Sequence, residues 1–99
     1  FNRRITMEYK FNEDKLLKEF TEYVNSTYSQ HYGQTKFQAN EVIVDRGNGT
    51  GFCLGNVDKY LQRYGKKGDV SEHRKDLFKI LHYTLIALYV HDKENNDVQ

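Results

Sequence analysis

The sequence predicts a mostly α-helical domain of about four helices. In three stretches, apolar side chains recur every three or four residues, which is the period of an amphipathic α-helix. The chain of 99 residues contains no proline, the residue that most strongly interrupts helices. A chain of this length forms one domain with a modest core. We expect that domain over residues 13–92, with residues 1–12 as an N-terminal extension and residues 93–99 as a flexible tail.

The first helix is predicted over residues 13–30. Asn12 is a suitable N-cap, and Glu13 and Asp14 place negative charge at the positive end of the helix dipole. The helix should end before Gly33, with residues 31–37 as a connection. Its apolar stripe consists of Leu16, Leu17, Phe20, Tyr23, Val24 and Tyr28.

Residues 38–46 are ambiguous between helix and strand. The β-branched run Val42–Val44 favours a strand, and Asn48-Gly49 would suit a hairpin turn. A hairpin needs a second strand, however, and residues 52–55 supply it poorly because they begin the next helical pattern. We therefore favour a short second helix, followed by a flexible glycine-rich joint at residues 47–51.

The third helix is predicted over residues 52–64 and carries two different faces. Leu54, Val57, Leu61 and Tyr64 follow one another at spacings of three, four and three, which forms an apolar stripe. Glycine in mid-helix, as at position 55, costs roughly 1 kcal/mol and suggests the close approach of a ligand or another helix. Gly65 is a natural stop because glycine adopts left-handed backbone conformations without a steric penalty.

The other face of this helix is basic. Asn56, Lys59 and Arg63 lie three and four residues apart, and Lys66 and Lys67 follow in the glycine turn. Arginine offers a planar bidentate fork and lysine a mobile point charge, so the group predicts a phosphate-binding surface. The alternative is a solvated basic helix end that complements the helix dipole.

The fourth helix should begin with the capping box at residues 69–72. Between Ile80 and Val90 it is apolar on almost every side, and such a helix must be covered all round. The rest of so short a chain offers little cover. We therefore expect self-association, as a homo-oligomer, through residues 80–90.

Further polar candidates lie on the second and fourth helices. Asp76, Lys79 and Tyr83 are spaced by three and four, so they could share a cleft with the basic face if helices three and four pack as a hairpin. The alternative is an exposed Asp76–Lys79 pair. Glu41 could contribute a carboxylate to the same cleft, although acidic residues are sparse around it.

Several function classes lack their sequence signals. The chain has fifteen basic and fourteen acidic residues, so no overall field favours nucleic acid as a partner. No apolar run is long enough for a membrane span, and the Walker A pattern is absent. The four histidines and Cys53 lack zinc-ligand spacing, so we predict no metal site. The single cysteine fits a reducing compartment.

A longer pattern extends over residues 31–85. It comprises a Glu-Val-Ile segment, a Phe-x-Leu-Gly-Asn segment, basic positions that end in Gly-Lys-Lys, and an Asp-Leu pair. This pattern resembles the SaV-like family of bacteriophage proteins of unknown function, whose members include a nucleotide kinase of short-tailed coliphages. The matching residues are Glu41–Ile43, Phe52–Asn56, Lys59, Tyr60, Arg63, Gly65–Lys67, Asp76, Leu77 and Lys79–Tyr83, preceded by His31-Tyr32.

The resemblance implies a helical phage protein in the host cell cytoplasm. In the kinase member it implies phosphoryl transfer from a nucleoside triphosphate, with magnesium, to a deoxynucleoside monophosphate. Lys59 and Arg63 would then be catalytic by neutralising charge on the transferred group, and His31 and Tyr32 would border the nucleotide pocket. The phosphate-binding residues would be Asn56, Lys59, Arg63, Lys66 and Lys67.

Two alternatives remain open at this point. The chain could be a non-enzymatic module that inhibits a host or defence protein, which would require an exposed aromatic patch. It could also be a magnesium-dependent nucleoside triphosphate pyrophosphatase, in which Glu41 would belong to a cluster of acidic side chains from facing helices.

Overall fold

The computed structural model describes residues 7–96, except for the side chains of residues 31–34. These residues form four helices, and none of them forms a strand: α1 is Glu13–Ser29, α2 is His31–Asp45, α3 is Gly49–Arg63 and α4 is Val70–Asn95. The mostly helical prediction is confirmed, as is the helical interpretation of residues 38–46. Helices α3 and α4 make the most extensive contact, while α1 and α2 pack more lightly.

The boundary between α1 and α2 differs from the prediction. The predicted connection at residues 31–37 is wrong, because α2 begins at His31. The single residue Gln30, with an extended backbone (φ −75°, ψ 137°), separates the two helices. Gly33 therefore lies inside α2 and does not end a helix.

The start of α1 also lacks the predicted cap. Asn12 adopts a left-handed backbone (φ 58°) and its side chain makes no capping hydrogen bond. A capping side chain requires extended backbone at that position. Instead, the Glu13 carboxylate accepts a hydrogen bond of 3.0 Å from the Phe11 N–H.

Residues 47–51 do not form the predicted flexible joint, because only residues 46–48 lie between the helices and Gly49–Gly51 already belong to α3. Gly47 has a positive φ of 85° and turns the chain, and α3 begins as early as Gly49. A Cβ atom at Gly49 would lie only 3.0 Å from Val90 Cγ2 and 3.2 Å from Val44 Cγ2. Glycine therefore lets the start of α3 approach α4 and α2 closely.

The predicted apolar stripe of α3 does not face the core. Leu54 is 48% exposed and Leu61 is 56% exposed, whereas Cys53 and Tyr60 are buried. Tyr60 stacks on Tyr83 of α4, with ring centroids 6.2 Å apart and an interplanar angle of 16°. Aromatic rings bury more surface than leucines, which accounts for the observed orientation of the helix. Apart from its own helix, no described residue lies within 4 Å of a Cβ built at Gly55, so none of the described helices approaches it closely.

The predicted stop of α3 and the cap of α4 are both confirmed. Gly65 follows the end of α3 with φ 79°. The Asp69 carboxylate accepts a hydrogen bond of 3.1 Å from the Glu72 N–H and one of 2.7 Å from the Ser71 hydroxyl. These hydrogen bonds lower the pKa of Asp69, the Ser71 hydroxyl contributing most. Helix α4 continues through Lys93–Asn95, which were predicted to be tail, while residues 97–99 lie outside the description.

The core is small and largely aromatic. Phe20 and Tyr23 of α1 stack on Phe78 of α4 with centroid distances of 5.9 and 5.4 Å. Among the described residues, Val90 and Cys53 are the largest apolar side chains that are fully buried. Burial raises the pKa of the Cys53 thiol, which therefore stays protonated. Within residues 7–96, the helices are too short or too polar to cross a lipid bilayer.

Gly49→Val should destabilise the fold, because its side chain would overlap Val90 and Val44. We expect the free energy of unfolding to fall by about 1–3 kcal/mol, the usual cost of overpacking a core. Urea unfolding followed by circular dichroism measures this change. Gly51→Val is the matched control: outside its own helix, a Cβ built there meets no described residue within 4 Å, so the change should be neutral or slightly stabilising. Equal losses in both variants would contradict the close-approach argument.

Candidate functional site

A cleft of about 410 Å³ opens between α1, α2 and α4, with one residue of α3 on its wall. We call it the basic aromatic cleft because lysines and aromatic rings dominate its lining. Among the described residues, no acidic side chain lines it. Its lining consists of Tyr23, Ser26, Thr27, Gln30, Lys36, Phe37, Asn40, Tyr60, Lys75, Lys79, His82, Tyr83 and Ile86.

The cations of the cleft lie against aromatic rings. Lys36 Nζ is 5.7 Å from the centroid of the Tyr83 ring, and Lys79 Nζ is 5.0 Å from the centroid of the Tyr60 ring. These cation–π contacts hold the ammonium groups near the walls without neutralising their charge. The cleft is therefore electropositive.

Tyr60 connects the cleft to the basic face of α3. Lys59 Nζ lies 5.3 Å and Arg63 Cζ 5.8 Å from the centroid of its ring. Together with Lys79, three cations from two helices gather around this one side chain. The predicted meeting of polar groups from α3 and α4 thus occurs at Tyr60.

The neutral polar groups of the cleft are held in their uncharged forms. Burial raises the pKa of the Tyr23 phenol, and the neighbouring Tyr60 and Tyr83 raise it further. Burial also lowers the pKa of His82, and the positive charge of Lys36 adds to that effect. Both groups therefore offer hydrogen bonds at neutral pH without carrying charge. Asn40 also lines the cleft, and its buried amide nitrogen donates to no described residue.

Asp76 forms a buried ion pair beneath this region. Its side chain is 1% exposed, and its Oδ1 lies 3.6 Å from Arg63 Nε. Neither carboxylate oxygen accepts a hydrogen bond from the described residues, so Arg63 is the cation that compensates the buried charge. The alternative of an exposed Asp76–Lys79 pair is therefore wrong, because Asp76 is buried and pairs with α3.

The other predicted site residues are placed as follows. Lys79 and Tyr83 line the cleft, whereas Lys66 and Lys67 are exposed in the turn and do not. The Asn56 amide donates to the Phe52 carbonyl at 2.9 Å, within its own helix. Glu41 lines a neighbouring cleft with Tyr28 and Tyr89. The side chains of His31 and Tyr32 lie outside the described residues.

Sequence reasoning missed Lys36, Lys75, Tyr23 and Asn40 as cleft residues. Lys36 and Asn40 share one face of α2, but a connection over residues 31–37 would leave Lys36 outside the helix and hide that face. Lys75 and Lys79 are four residues apart, and this spacing was the available signal on α4. Among residues 7–96, no three histidine, cysteine or acidic side chains gather closely enough to hold a metal ion.

Comparison with known proteins places most of this cleft within a family segment. Residues 26–84 match the family described as Protein of unknown function (DUF3310). The chain belongs to this DUF3310 family. No curated protein and no solved structure matches the chain. The DUF3310 segment contains α2, α3 and the first half of α4, and therefore all cleft residues except Tyr23 and Ile86.

Arg63→Ala should destabilise the DUF3310 domain, because it leaves the Asp76 carboxylate buried without a compensating cation. We expect a loss of about 2–3 kcal/mol in the free energy of unfolding. Lys66→Ala, which removes an exposed cation nearby, is the control and should change little. The double variant Arg63→Met/Asp76→Leu should recover most of the loss in urea unfolding. An Arg63→Ala protein as stable as the wild type would contradict the ion-pair assignment.

His82 should make the fold less stable in mild acid. Its folded pKa lies below the ordinary 6.5, so below that pH the unfolded chain takes up a proton that the folded chain resists. Stability is therefore fully present above pH 6.5 and falls as the pH decreases. Urea unfolding across this range should show a smaller decrease for His82→Gln than for the wild type. Identical pH dependence in the two proteins would show that His82 is not responsible.

Proposed function

We propose that the protein binds a nucleotide in the basic aromatic cleft. The observation that carries the proposal is the combination of Lys36, Lys75 and Lys79 with aromatic walls, in a cleft that no described acidic side chain lines. Lysine ammonium groups bind phosphate oxygens, and aromatic rings stack on bases. The volume of about 410 Å³ lies within the range of small-molecule sites.

The neutral groups of the cleft suit the base and sugar. Asn40 offers an amide that can donate to and accept from the edge of a base. Ser26 and Thr27 of α1 also line the cleft. Both hydroxyls lie beside their own helix carbonyls, at 2.6 Å from Tyr23 O and 2.7 Å from Val24 O. They would therefore accept hydrogen bonds from a ligand more readily than donate them.

The resemblance to the SaV-like phage proteins supports a more specific proposal, a nucleotide kinase in the host cell cytoplasm. In that reaction an oxygen of the monophosphate bonds to the γ-phosphorus of the triphosphate. The bond to the β-phosphate oxygen breaks, so that two diphosphates result. The cleft lysines would neutralise the negative charge of the phosphates, and the catalytic roles of Lys59 and Arg63 would be exerted from the rim at Tyr60.

Magnesium would be carried by the nucleotide in this proposal. The described lining of the cleft has no carboxylate, so its side chains do not fit a site for the ion. The phosphates of a triphosphate are themselves good magnesium ligands. The residues of the chain would position the phosphates and leave the coordination of the ion to them.

Nucleotide binding should depend on the cleft lysines. Lys36→Ala and Lys79→Ala should each weaken binding by about tenfold, because each removes a charge-assisted contact to phosphate. The measurement is a thermal-shift titration with nucleoside mono-, di- and triphosphates, confirmed by equilibrium dialysis. Lys36→Arg keeps the charge and should retain most of the affinity.

Two further lysines serve as controls for this prediction. Lys18→Ala removes the same charge from the exposed outer face of α1 and should leave affinity unchanged. Lys66→Ala tests whether nucleotide binds at the glycine turn instead. If Lys66→Ala loses affinity while Lys36→Ala and Lys79→Ala keep it, the nucleotide site lies at the turn and not in the cleft. If no nucleotide class raises the melting temperature of the wild type, the proposal fails.

A second candidate function is the binding of a host protein. It is favoured by Tyr28 and Tyr89, which are more than half exposed and line the neighbouring cleft beside Glu41. Exposed tyrosines are typical of protein interfaces. If no nucleotide raises the melting temperature, the result would favour host-protein binding over nucleotide binding.

A further inference from the structure

One side of the molecule exposes a group of apolar side chains from α1 and α4. On it, α1 and α4 form a groove in which the only charged lining residue among those described is Glu13. Six leucines on this side are between 43% and 62% exposed, and we call them the leucine face. They are Leu16, Leu17, Leu77, Leu81, Leu85 and Leu88.

The leucine face follows the period of a helix-pairing seam. Along α4, Leu77, Leu81, Thr84 and Leu88 are spaced by four, three and four residues, and all four are exposed. This alternation of three and four is the pattern by which two helices pack side by side. The seam lies on a helix of 26 residues, which is long enough for several turns of contact.

The chain is more extended than a compact domain of its length. Its radius of gyration is 16.1 Å, whereas a compact domain of this length has about 13 Å. The six leucines of the leucine face together expose about as much surface as three whole leucine residues. The chain thus needs an apolar partner to complete its core.

We infer that the partner is a second copy of this chain, packed through the leucine face. A second copy carries the same seam at the same spacing, so the two seams match each other in period. A face with so little charge also brings no like-charge repulsion when two identical surfaces meet. Six half-exposed leucines on each copy, with the groove between them, would provide the centre of a standard interface of about 800 Å² per partner.

Sedimentation equilibrium tests this inference on the full chain. The wild type should sediment as a dimer or larger species, that is, at a multiple of 11.8 kDa, over a range of micromolar concentrations. Leu81→Lys/Leu88→Lys should raise the dissociation constant by about a hundredfold or more, because it places charge within an apolar contact. Circular dichroism should show that helix content is retained in the dissociated variant.

A matched pair of leucines serves as the control. Leu54→Lys/Leu61→Lys makes the same change on α3, where both leucines are similarly exposed but lie off the leucine face, and should leave the mass unchanged. A wild type that remains monomeric at all concentrations would overturn the inference. Dissociation by the α3 variant alone would also overturn it, because the interface would then lie on α3.

If the charged α4 variant does not fold, Leu81→Ala/Leu88→Ala replaces it. The truncated side chains keep the helix apolar but remove most of the contact, so the dissociation constant should still rise by at least about tenfold. A truncated variant that associates as tightly as the wild type would count against the leucine face.

Discussion

The contact between Tyr60 and Tyr83 is the interaction on which the rest of the structure depends. It fixes the rotation of α3 against α4, because the stacked rings can meet only if Cys53 and Tyr60 face inward. That rotation turns Leu54 and Leu61 outward and places Arg63 over Asp76. It also positions Tyr60 where cations from both helices collect. The close approach of Gly49 to Val90 is a second contact that fixes the position of α3 against α4.

Because of the packing of α3 on α4, one cation stabilises the fold while others can contact a ligand. Arg63 compensates the buried Asp76, so its substitution would lower stability as well as change any ligand site. Lys36 and Lys79, in contrast, rest against aromatic faces and keep their charge for a ligand. A loss of binding in an Arg63 variant is therefore ambiguous, whereas a loss in a Lys36 variant with unchanged stability is not.

Local signals in the sequence identified the elements better than their orientation. The capping box at Asp69 and the stop at Gly65 depend on neighbouring residues alone, and both were predicted. The orientation of α3 does not follow from the spacing of its leucines, because the aromatic contact of Tyr60 with Tyr83 on a distant helix decides it. The spacing of Lys79 and Tyr83 predicts a cleft shared with the basic face of α3, and both instead line a cleft between α1, α2 and α4 to which α3 contributes Tyr60. The position of Lys36 does not follow from the sequence, because the start of α2 is set by the single extended residue Gln30, which has no sequence signal.

Helix α4 serves two surfaces at once, which accounts for its apolar character on almost every side. With about 100° between successive residues, Lys79 and Tyr83 lie roughly half a turn from Leu81 and Leu88. Pairing through the leucine face would therefore leave the basic aromatic cleft open. Helix α1 borders both surfaces, with Leu16 on one and Tyr23 on the other, yet packs on α4 less extensively than α3 does. A second copy seated on the leucine face would therefore also pack against α1, the helix that forms this wall of the cleft.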